Sequence, residues 1–200
     1  MAEAGLAAGQ KGARRSGRAV AFLDETGHSF RARLGASWAR RGHPPVLRRL
    51  SLRREVSSVV ALVAPLGGPA RLYARHVRGT IHGAQVIVAL RYFRRRIGRP
   101  LVVAWDRSNA HRAGPVLAFV RAHPGDYRLE WLPAYAPELN PEELCHGAVK
   151  RQTLNALPGS VDDLHRQARR GFVRLGRCPA VLRGFFRHVG LALPNRREGH

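Results

Sequence analysis

Apolar and polar positions follow two periods along the chain, a period of two in the first third and a helical period beyond residue 83. Apolar runs bounded by turn residues predict strands, and apolar residues at helical spacing predict amphipathic helices. The predicted strands span 18–24, 29–34, 56–63, 70–77, 101–105 and 127–132. The predicted helices span 83–97, 112–123, 141–155, 161–175 and 179–187. This order predicts an α/β fold, a mixed sheet flanked by helices.

Turn and cap residues mark the ends of these elements. Thr26 and Gly27 predict a hairpin turn between the first two strands, and 67–69 (GGP) predicts another turn ahead of 70–77. Asn140 and Pro141 predict a helix start, with Asn as the cap and Pro in the first turn. We therefore expect a flexible basic lead-in at 1–17, a core at 18–157 and a C-terminal helical extension of the same domain at 158–200.

The charge of the chain changes the picture most. It has 35 basic and 13 acidic residues, a net charge of +22 and a pI near 11.8. Such a positive field attracts polyanions, and neutralised phosphates release their counterions. We therefore predict double-stranded DNA as a partner. Arginine enrichment from a biased genome is the alternative, because lysine occurs only at Lys11 and Lys150.

Cysteine usage and hydropathy indicate the cellular compartment that we expect for the chain. Cys145 and Cys178 are the only cysteines and form no CxxC pair, so we expect neither a zinc ribbon nor a disulfide framework. The N-terminus has no continuous apolar segment typical of a signal peptide, and the apolar run at 59–65 is too short to cross a bilayer. The expected location is the cytoplasm, in association with the nucleoid and away from membranes.

Acids are scarce in this chain, so their placement is informative. Asp24 and Asp106 each follow an apolar run, where a lone buried carboxylate is costly unless a cation pairs with it. The third candidate lies among Glu138, Glu142 and Glu143, where a loop meets a predicted helix. Three converging carboxylates suit hard, oxygen-preferring Mg²⁺. The alternatives are a turn residue at Asp24 and a helix cap or Asx turn at Asp106.

The sequence segments around these acids resemble the signature motifs of a known family. The stretch 132–143 (LPAYAPELNPEE) resembles the third signature of the mariner-related DDE transposases, particularly their bacterial insertion-sequence branch. The stretch 102–111 (VVAWDRSNAH) resembles their second signature, an apolar strand that ends in Asp with a His shortly after it. FLDETG, with Trp38, Gly42 and Pro44 downstream, is similar to the first. The resemblance covers residues 18–190, and 36 residues lie between Asp106 and Glu143.

The resemblance implies a ribonuclease-H-like fold and a reaction that depends on Mg²⁺ or Mn²⁺, with two ions. Such enzymes hydrolyse phosphodiester bonds at transposon ends and join the freed 3′-hydroxyls to target DNA. By position in the motifs, Asp24, Asp106 and Glu143 are the implied catalytic and metal-binding residues. Glu142 is the rival for the third position, but adjacent helix residues point about 100° apart, and the register of the motif selects Glu143.

Several other residues are candidates for supporting roles. His111 is expected to orient a phosphate or a site carboxylate, or to bond the backbone at a helix start. Asn140 is expected to act mainly as a cap, and Lys150 either contacts phosphate or is a solvated lysine on the face of Glu143. The candidate DNA-binding residues are Arg94, Arg95, Arg96, Lys150 and Arg151. Arg94, Arg95 and Arg96 are also expected to interact favourably with the C-terminal end of their own helix, where the helix dipole is negative.

Two departures from the family weigh on activity. Relatives usually carry an aromatic residue, commonly Trp, three positions after the third acid, whereas this chain has His146. No helix-turn-helix module fits in 1–17, so we expect a separate N-terminal DNA-binding half or a second reading-frame product, and a homodimer is possible. The leading prediction is a transposase catalytic domain. The alternatives are an inactive, truncated remnant that only binds DNA or inhibits intact transposase, and a basic structural nucleoprotein.

Overall fold

One mixed five-stranded sheet organises the chain in the computed structural model, which describes residues 16–30, 35–48, 55–64, 68–106, 108, 111–133 and 139–191. The strands are β1 (Ala19–Ser29), β2 (Glu55–Val63), β3 (Arg71–Arg78), β4 (Leu101–Trp105) and β5 (Tyr127–Trp131). Their order across the sheet is β3-β2-β1-β4-β5. The pairs β3–β2 and β2–β1 are antiparallel, whereas β1–β4 and β4–β5 are parallel.

Five helices in the described part of the chain cover the two faces of this sheet. They are α1 (Gly83–Ile97), α2 (Gly114–Ala122), α3 (Pro141–Gln152), α4 (Val161–Gly176) and α5 (Pro179–His188). The predicted mixed sheet flanked by helices is therefore confirmed. None of the described helices is both long and apolar enough to cross a bilayer.

Alternate residues of β1 point into two separate cores. Val20 and Phe22 pack with residues of α3, α4 and α5, among them Val149, Phe172 and Phe186. Ala21 and Leu23 pack on the opposite side with residues of α1 and α2. This alternation follows from the period of two in a strand. A side chain at an even position of β1 therefore lies on the same side of the sheet as α3.

The central strand β4 corresponds to an uninterrupted apolar run, and its surroundings explain why such a run predicts a strand. All five residues of Leu101–Trp105 are buried, because β4 lies between β1 and β5 and has helices over both faces. Strands covered on both faces carry continuous apolar runs instead of alternating ones. The preceding helix α1 ends where Gly98 adopts a left-handed conformation at φ 74°, which glycine accepts without steric cost.

The hairpin predicted around Thr26 and Gly27 is wrong. β1 runs without a turn from Ala19 to Ser29, and Thr26 and Gly27 pair with Ser58 and Ser57 of β2. Thr26 is buried, and the long antiparallel partner supplies backbone hydrogen bonds that a local Thr-Gly turn would forgo. Asp24 consequently lies in the middle of a strand instead of at its end.

Parts of other predictions lie outside the described residues. These parts are residues 1–15 of the lead-in, the segment 31–34, Gly67 of the turn predicted at 67–69, the loop residues 134–138, which include Glu138 and Tyr135, and residues 192–200 of the C-terminal extension. The remaining predicted elements are observed with ends that shift by a few residues, as expected for element boundaries. Within the described part, Asn140 caps α3 as predicted, since its side-chain oxygen accepts a hydrogen bond from the backbone N–H of Glu142.

Candidate active site

Asp24 lies within β1, and Asp106 directly follows the adjacent parallel strand β4. The register of β1 and β4 pairs Phe22 with Ala104, and each aspartate lies two residues further along the chain. Phe22 and Ala104 both belong to the core on the α3 side of the sheet. The two predicted aspartates therefore follow the same register pair by two residues each, although they are 82 positions apart in the sequence.

Asp24 belongs to a buried cluster with Glu142 and His146 of α3, which we call the inner cluster. One ligand atom from each of the three side chains lies within 4.8 Å of the others. Nδ1 of His146 lies 3.8 Å from Oδ2 of Asp24, and Nε2 lies 2.9 Å from Oε2 of Glu142. Glu142 and His146 are one helical turn apart, so both can face β1.

Burial governs the protonation of the inner cluster. It raises the pKa of Asp24 to about 8, an effect that the neighbouring Glu142 strengthens. Burial also raises the pKa of Glu142 well above its usual value and lowers that of His146 to about 4. Each shift disfavours the charged form, as desolvation does when no strong opposite charge offsets it. The protein by itself therefore favours neutral forms of Glu142 and His146 at neutral pH.

Asp106 belongs to a second group, with His111 and Glu25, which we call the outer group. Nδ1 of His111 donates a hydrogen bond of 2.5 Å to Oδ1 of Asp106, and Nε2 donates one of 2.8 Å to Oε1 of Glu25. The imidazole is fully buried and stacks on Trp105 with 4.0 Å between ring centroids. The backbone N–H of Ser108 also donates to Oδ1 of Asp106.

The side chains of the outer group stay charged, whereas burial disfavours the charged forms in the inner cluster. Burial alone lowers the pKa of His111, but its hydrogen bonds to Asp106 and Glu25 outweigh burial and raise the pKa to about 9. The same hydrogen bond from His111 lowers the pKa of Asp106. At neutral pH His111 is therefore a doubly protonated imidazolium that keeps Asp106 ionised.

Glu143 has a different environment from its neighbour Glu142. Its side chain is half exposed, and Oε2 lies 3.9 Å from Nδ1 of His146. Its charge also raises the pKa of Asp24, so it lies within electrostatic range of that carboxylate. The two adjacent glutamates thus both lie near Asp24, Glu142 from the buried side and Glu143 from the solvent side.

The candidate supporting residues differ in position. Lys150, near the C-terminal end of α3, lines a cavity of about 210 Å³ together with His28 and Gln167. Its charge also lowers the pKa of Glu142 and of His146, although less than burial shifts either group. Arg151 next to it is exposed. Both cations therefore lie on the face of the sheet that carries Asp24.

The other predicted DNA-contacting arginines lie away from the carboxylates. Arg94, Arg95 and Arg96 form the last turn of α1. The chain then enters β4 at Leu101 and reaches Asp106 only after crossing the sheet, about 16 Å for five residues. Arg94 is also engaged by Asp126, with Nε 2.7 Å from Oδ1. The three arginines therefore occupy the opposite end of β4 from Asp106.

Sequence reasoning missed one member of these groups and ranked another second. Glu25 directly follows Asp24, but its side chain lies on the other side of β1 and meets His111 across 86 positions of sequence. Glu142 was ranked below Glu143, yet it is the glutamate that is wholly buried. The spacing of Glu142 and His146, four residues on a helix, was the available signal for their contact.

Residues 19–165 match the family described as DDE superfamily endonuclease. No curated protein matches the chain.

Two solved structures of Mos1 transposase are similar in fold. The mariner paired-end complex with Mn superimposes with a TM-score of 0.57 at 16% identity, over 86% of this chain and 54% of that chain. The Mos1 catalytic domain with Raltegravir and Mg gives a TM-score of 0.52 at 16% identity, over 86% of this chain and 82% of that chain. The chain thus spans about half the length of the Mos1 chain in the paired-end complex. The predicted ribonuclease-H-like fold is confirmed.

Proposed function

The chain belongs to the DDE superfamily endonucleases, and we propose that it is the catalytic core of a DNA transposase of the mariner-related bacterial insertion-sequence branch. Its reaction is metal-dependent hydrolysis of phosphodiester bonds at transposon ends, followed by strand transfer. The observation that carries the proposal is the register of β1 and β4, which puts Asp24 of β1 and Asp106 directly after β4 two residues beyond the same pair, together with the electrostatic effect of Glu143 on Asp24.

The donor set suits the metal ions that the family implies. Asp24, Asp106 and Glu143 offer oxygen ligands, the type preferred by Mg²⁺ and Mn²⁺. Asp24 supports this fit, since its pKa is raised by burial and by two nearby glutamates and a cation would offset that penalty. In the proposal these three carboxylates hold two divalent ions. When bound, the ions activate the attacking oxygen and stabilise the leaving oxygen in an in-line displacement.

His111 is a positioning residue in this proposal. Its hydrogen bonds to Asp106 and Glu25 fix the rotamer of Asp106 and keep that carboxylate ionised and ready to bind a cation. Orientation of a ligand by a buried partner is a common requirement of metal sites. Asn140 acts one step further away, because its cap fixes the start of α3 and with it the place of Glu143.

DNA binding in the proposal relies on phosphate contacts. Lys150 and Arg151 are the cations on the carboxylate side of the sheet, and Arg94, Arg95 and Arg96 offer a second contact region at the far end of β4. Contacts of this kind position a duplex without reading its sequence. We therefore assign recognition of the transposon ends to a separate DNA-binding half or second reading-frame product, with the protein acting as a dimer on nucleoid DNA in the cytoplasm.

Nicking of supercoiled plasmid in the presence of Mn²⁺ tests the proposed reaction. The wild-type chain is compared with Asp106→Asn and Glu143→Gln, each supplied with the same heterologous DNA-binding domain. Glu130→Gln is the matched control, because Glu130 pairs with Arg128 on β5 and is partly exposed. We expect at least a hundredfold loss in the two site variants and none in the control.

Two results would contradict the proposal. Equal nicking by wild type and Asp106→Asn would show that the proposed carboxylate is not part of the reaction. DNA binding without any Mn²⁺-dependent nicking in the wild type would favour the alternative, a remnant that only binds DNA or inhibits. The observation that favours this alternative is that the buried glutamate is Glu142 and not Glu143, the predicted metal ligand.

A further inference from the structure

The inner cluster has unsatisfied bonding capacity that the proposed reaction does not use. Both carboxylate oxygens of Glu142 and Nε2 of His146 are buried and have no hydrogen-bond partner among the described residues. Although Nε2 and Oε2 lie 2.9 Å apart, the atoms are not aligned as a hydrogen bond. A buried polar group without a partner costs about 1–3 kcal/mol, and more if it is charged. Something beyond the described side chains is needed to satisfy Glu142.

The arrangement of the three side chains is close to that of a metal site. One ligand atom each from Asp24, Glu142 and His146 lies within 4.8 Å of the other two. Ligand atoms around a tetrahedral ion, at about 2.0–2.1 Å from it, lie about 3.3 Å apart. A shortening of these separations by up to about 1.5 Å would bring all three atoms onto one ion.

We propose that Asp24, Glu142 and His146 bind one divalent transition-metal ion of the Zn²⁺ class, at a buried site that shares Asp24 with the catalytic set but uses neither Asp106 nor Glu143. An imidazole nitrogen with two carboxylates is a ligand set that suits Zn²⁺ and Co²⁺, whereas Mg²⁺ prefers oxygen ligands and retained water. Three protein ligands leave a fourth position open. The ion would satisfy the oxygens of Glu142 and offset the repulsion between the two carboxylates.

The inner cluster is accessible from one side. The side chain of Asp24 is 13% exposed, and the half-exposed Glu143 lies on the same side. An ion can therefore reach the inner cluster from the side of Glu143.

The inner site depends on the catalytic proposal only through Asp24, which both sites use. It does not need Asp106 or Glu143, and Glu142 and His146 are not required for the catalytic set. This difference separates the two proposals experimentally. Variants of Glu142 and His146 test the inner site, whereas a variant of Asp106 tests the catalytic site.

The test is a titration of the metal-free protein with Co²⁺, followed by its visible absorption, and then displacement by Zn²⁺. All chains carry Cys178→Ser, because the thiol of Cys178 is exposed and would bind Co²⁺ at the surface. Wild type is compared with Glu142→Gln and with His146→Trp, which restores the aromatic residue common in relatives. Asp106→Asn is the control that removes a catalytic carboxylate and leaves the inner cluster intact.

We expect the first, tightest Co²⁺ to bind wild type and Asp106→Asn with the same affinity and the same d–d absorption, which Zn²⁺ abolishes at equimolar concentration and excess Mg²⁺ does not. Glu142→Gln and His146→Trp should bind both ions at least tenfold more weakly. Circular dichroism melts without metal verify that each variant is folded, and a variant that fails to fold is replaced by Glu142→Leu or His146→Phe.

Two outcomes would overturn the inference. Full Co²⁺ affinity in folded Glu142→Gln and His146→Trp would show that these side chains are not ligands, and Glu142 would then be satisfied by a proton. Loss of Co²⁺ binding in Asp106→Asn alone would place the ion in the catalytic set. That second result would contradict the inner site and support the proposed function.

Discussion

The inner cluster and the outer group contain the same residue types, carboxylates around one histidine, but their protonation is opposite. His111 in the outer group donates one hydrogen bond to each of two carboxylates, and its pKa rises to about 9. His146 in the inner cluster lies between carboxylates without aligned hydrogen bonds, and its pKa falls to about 4. Hydrogen-bond geometry decides the outcome, since both imidazoles are buried to a similar degree.

The difference indicates a division of labour between the two groups. The outer group is complete without a ligand, so it can fix one ionised carboxylate in place. The inner cluster is incomplete, and a cation is the partner that would complete it. Predictions that alter one group and leave the other intact therefore test the comparison directly.

Removal of His111 should have the largest effect on stability. His111→Leu leaves Glu25 and Asp106 without their shared cation, and breaking a buried ion pair costs about 3 kcal/mol or more. We expect a loss of that size in the free energy of unfolding, measured by urea denaturation at pH 7. His188→Leu, a change at an exposed helix end, should cost less than about 0.5 kcal/mol. A loss in His111→Leu no larger than in this control would refute the pairing.

The contrast between charged and neutral histidines extends to His28 and His76. Both hydrogen-bond to the buried hydroxyl of Ser58, and burial lowers the pKa of each to about 4. Further groups acting on the pair are His146 and Lys150 near His28, and His165 and Arg169 near His76. All of these disfavour a second positive charge in the folded state.

Acid should therefore destabilise the fold through these two histidines. Their pKa values are lower in the folded chain than in the unfolded one, about 4 against 6.5. The unfolded chain then binds more protons between these values, and stability is lost as the pH falls from 7 to 4. Each histidine contributes up to about 3 kcal/mol. Urea denaturation at several pH values should show a shallower loss for His76→Gln than for wild type, and parallel curves would contradict this account.

Removing the carboxyl group of Glu142 from the inner cluster should change the free energy of unfolding by a smaller amount, and should increase it. Glu142→Leu replaces a buried carboxyl group whose oxygens have no partner by an apolar side chain of similar size. We expect the metal-free variant to be more stable than wild type by about 2 kcal/mol at pH 8. Glu143→Leu is the matched control, since that side chain is half exposed and should change stability by less than about 0.5 kcal/mol. A destabilised Glu142→Leu would mean that Glu142 is already satisfied in the metal-free protein.

The sequence predicted the fold better than it predicted the site. Uninterrupted apolar runs such as 101–105 and the Asn-Pro helix start at 140–141 carry local signals, and both elements are observed. The hairpin at Thr26 failed because the choice between a turn and a continuous strand depended on pairing with β2, which a local pattern does not contain.

The partners of the site residues were out of reach for similar reasons. The contact between Glu25 and His111 joins positions 86 residues apart and depends on how the segment after β4 returns to β1. For the adjacent glutamates, a motif register does not fix which side chain is buried. The rotation of α3 against β1 decides that, and it buries Glu142.

The most direct test of the catalytic claim is a thermal-unfolding titration with Mg²⁺, the ion that the inner cluster should not take. At ten times the dissociation constant, a ligand of the folded state adds about 1.4 kcal/mol of stability. We predict a Mg²⁺-dependent rise in melting temperature for wild type and Glu130→Gln, relative to KCl of equal ionic strength, and none for Asp106→Asn. An equal rise in Asp106→Asn, or none in wild type, would contradict a metal site built on Asp24, Asp106 and Glu143.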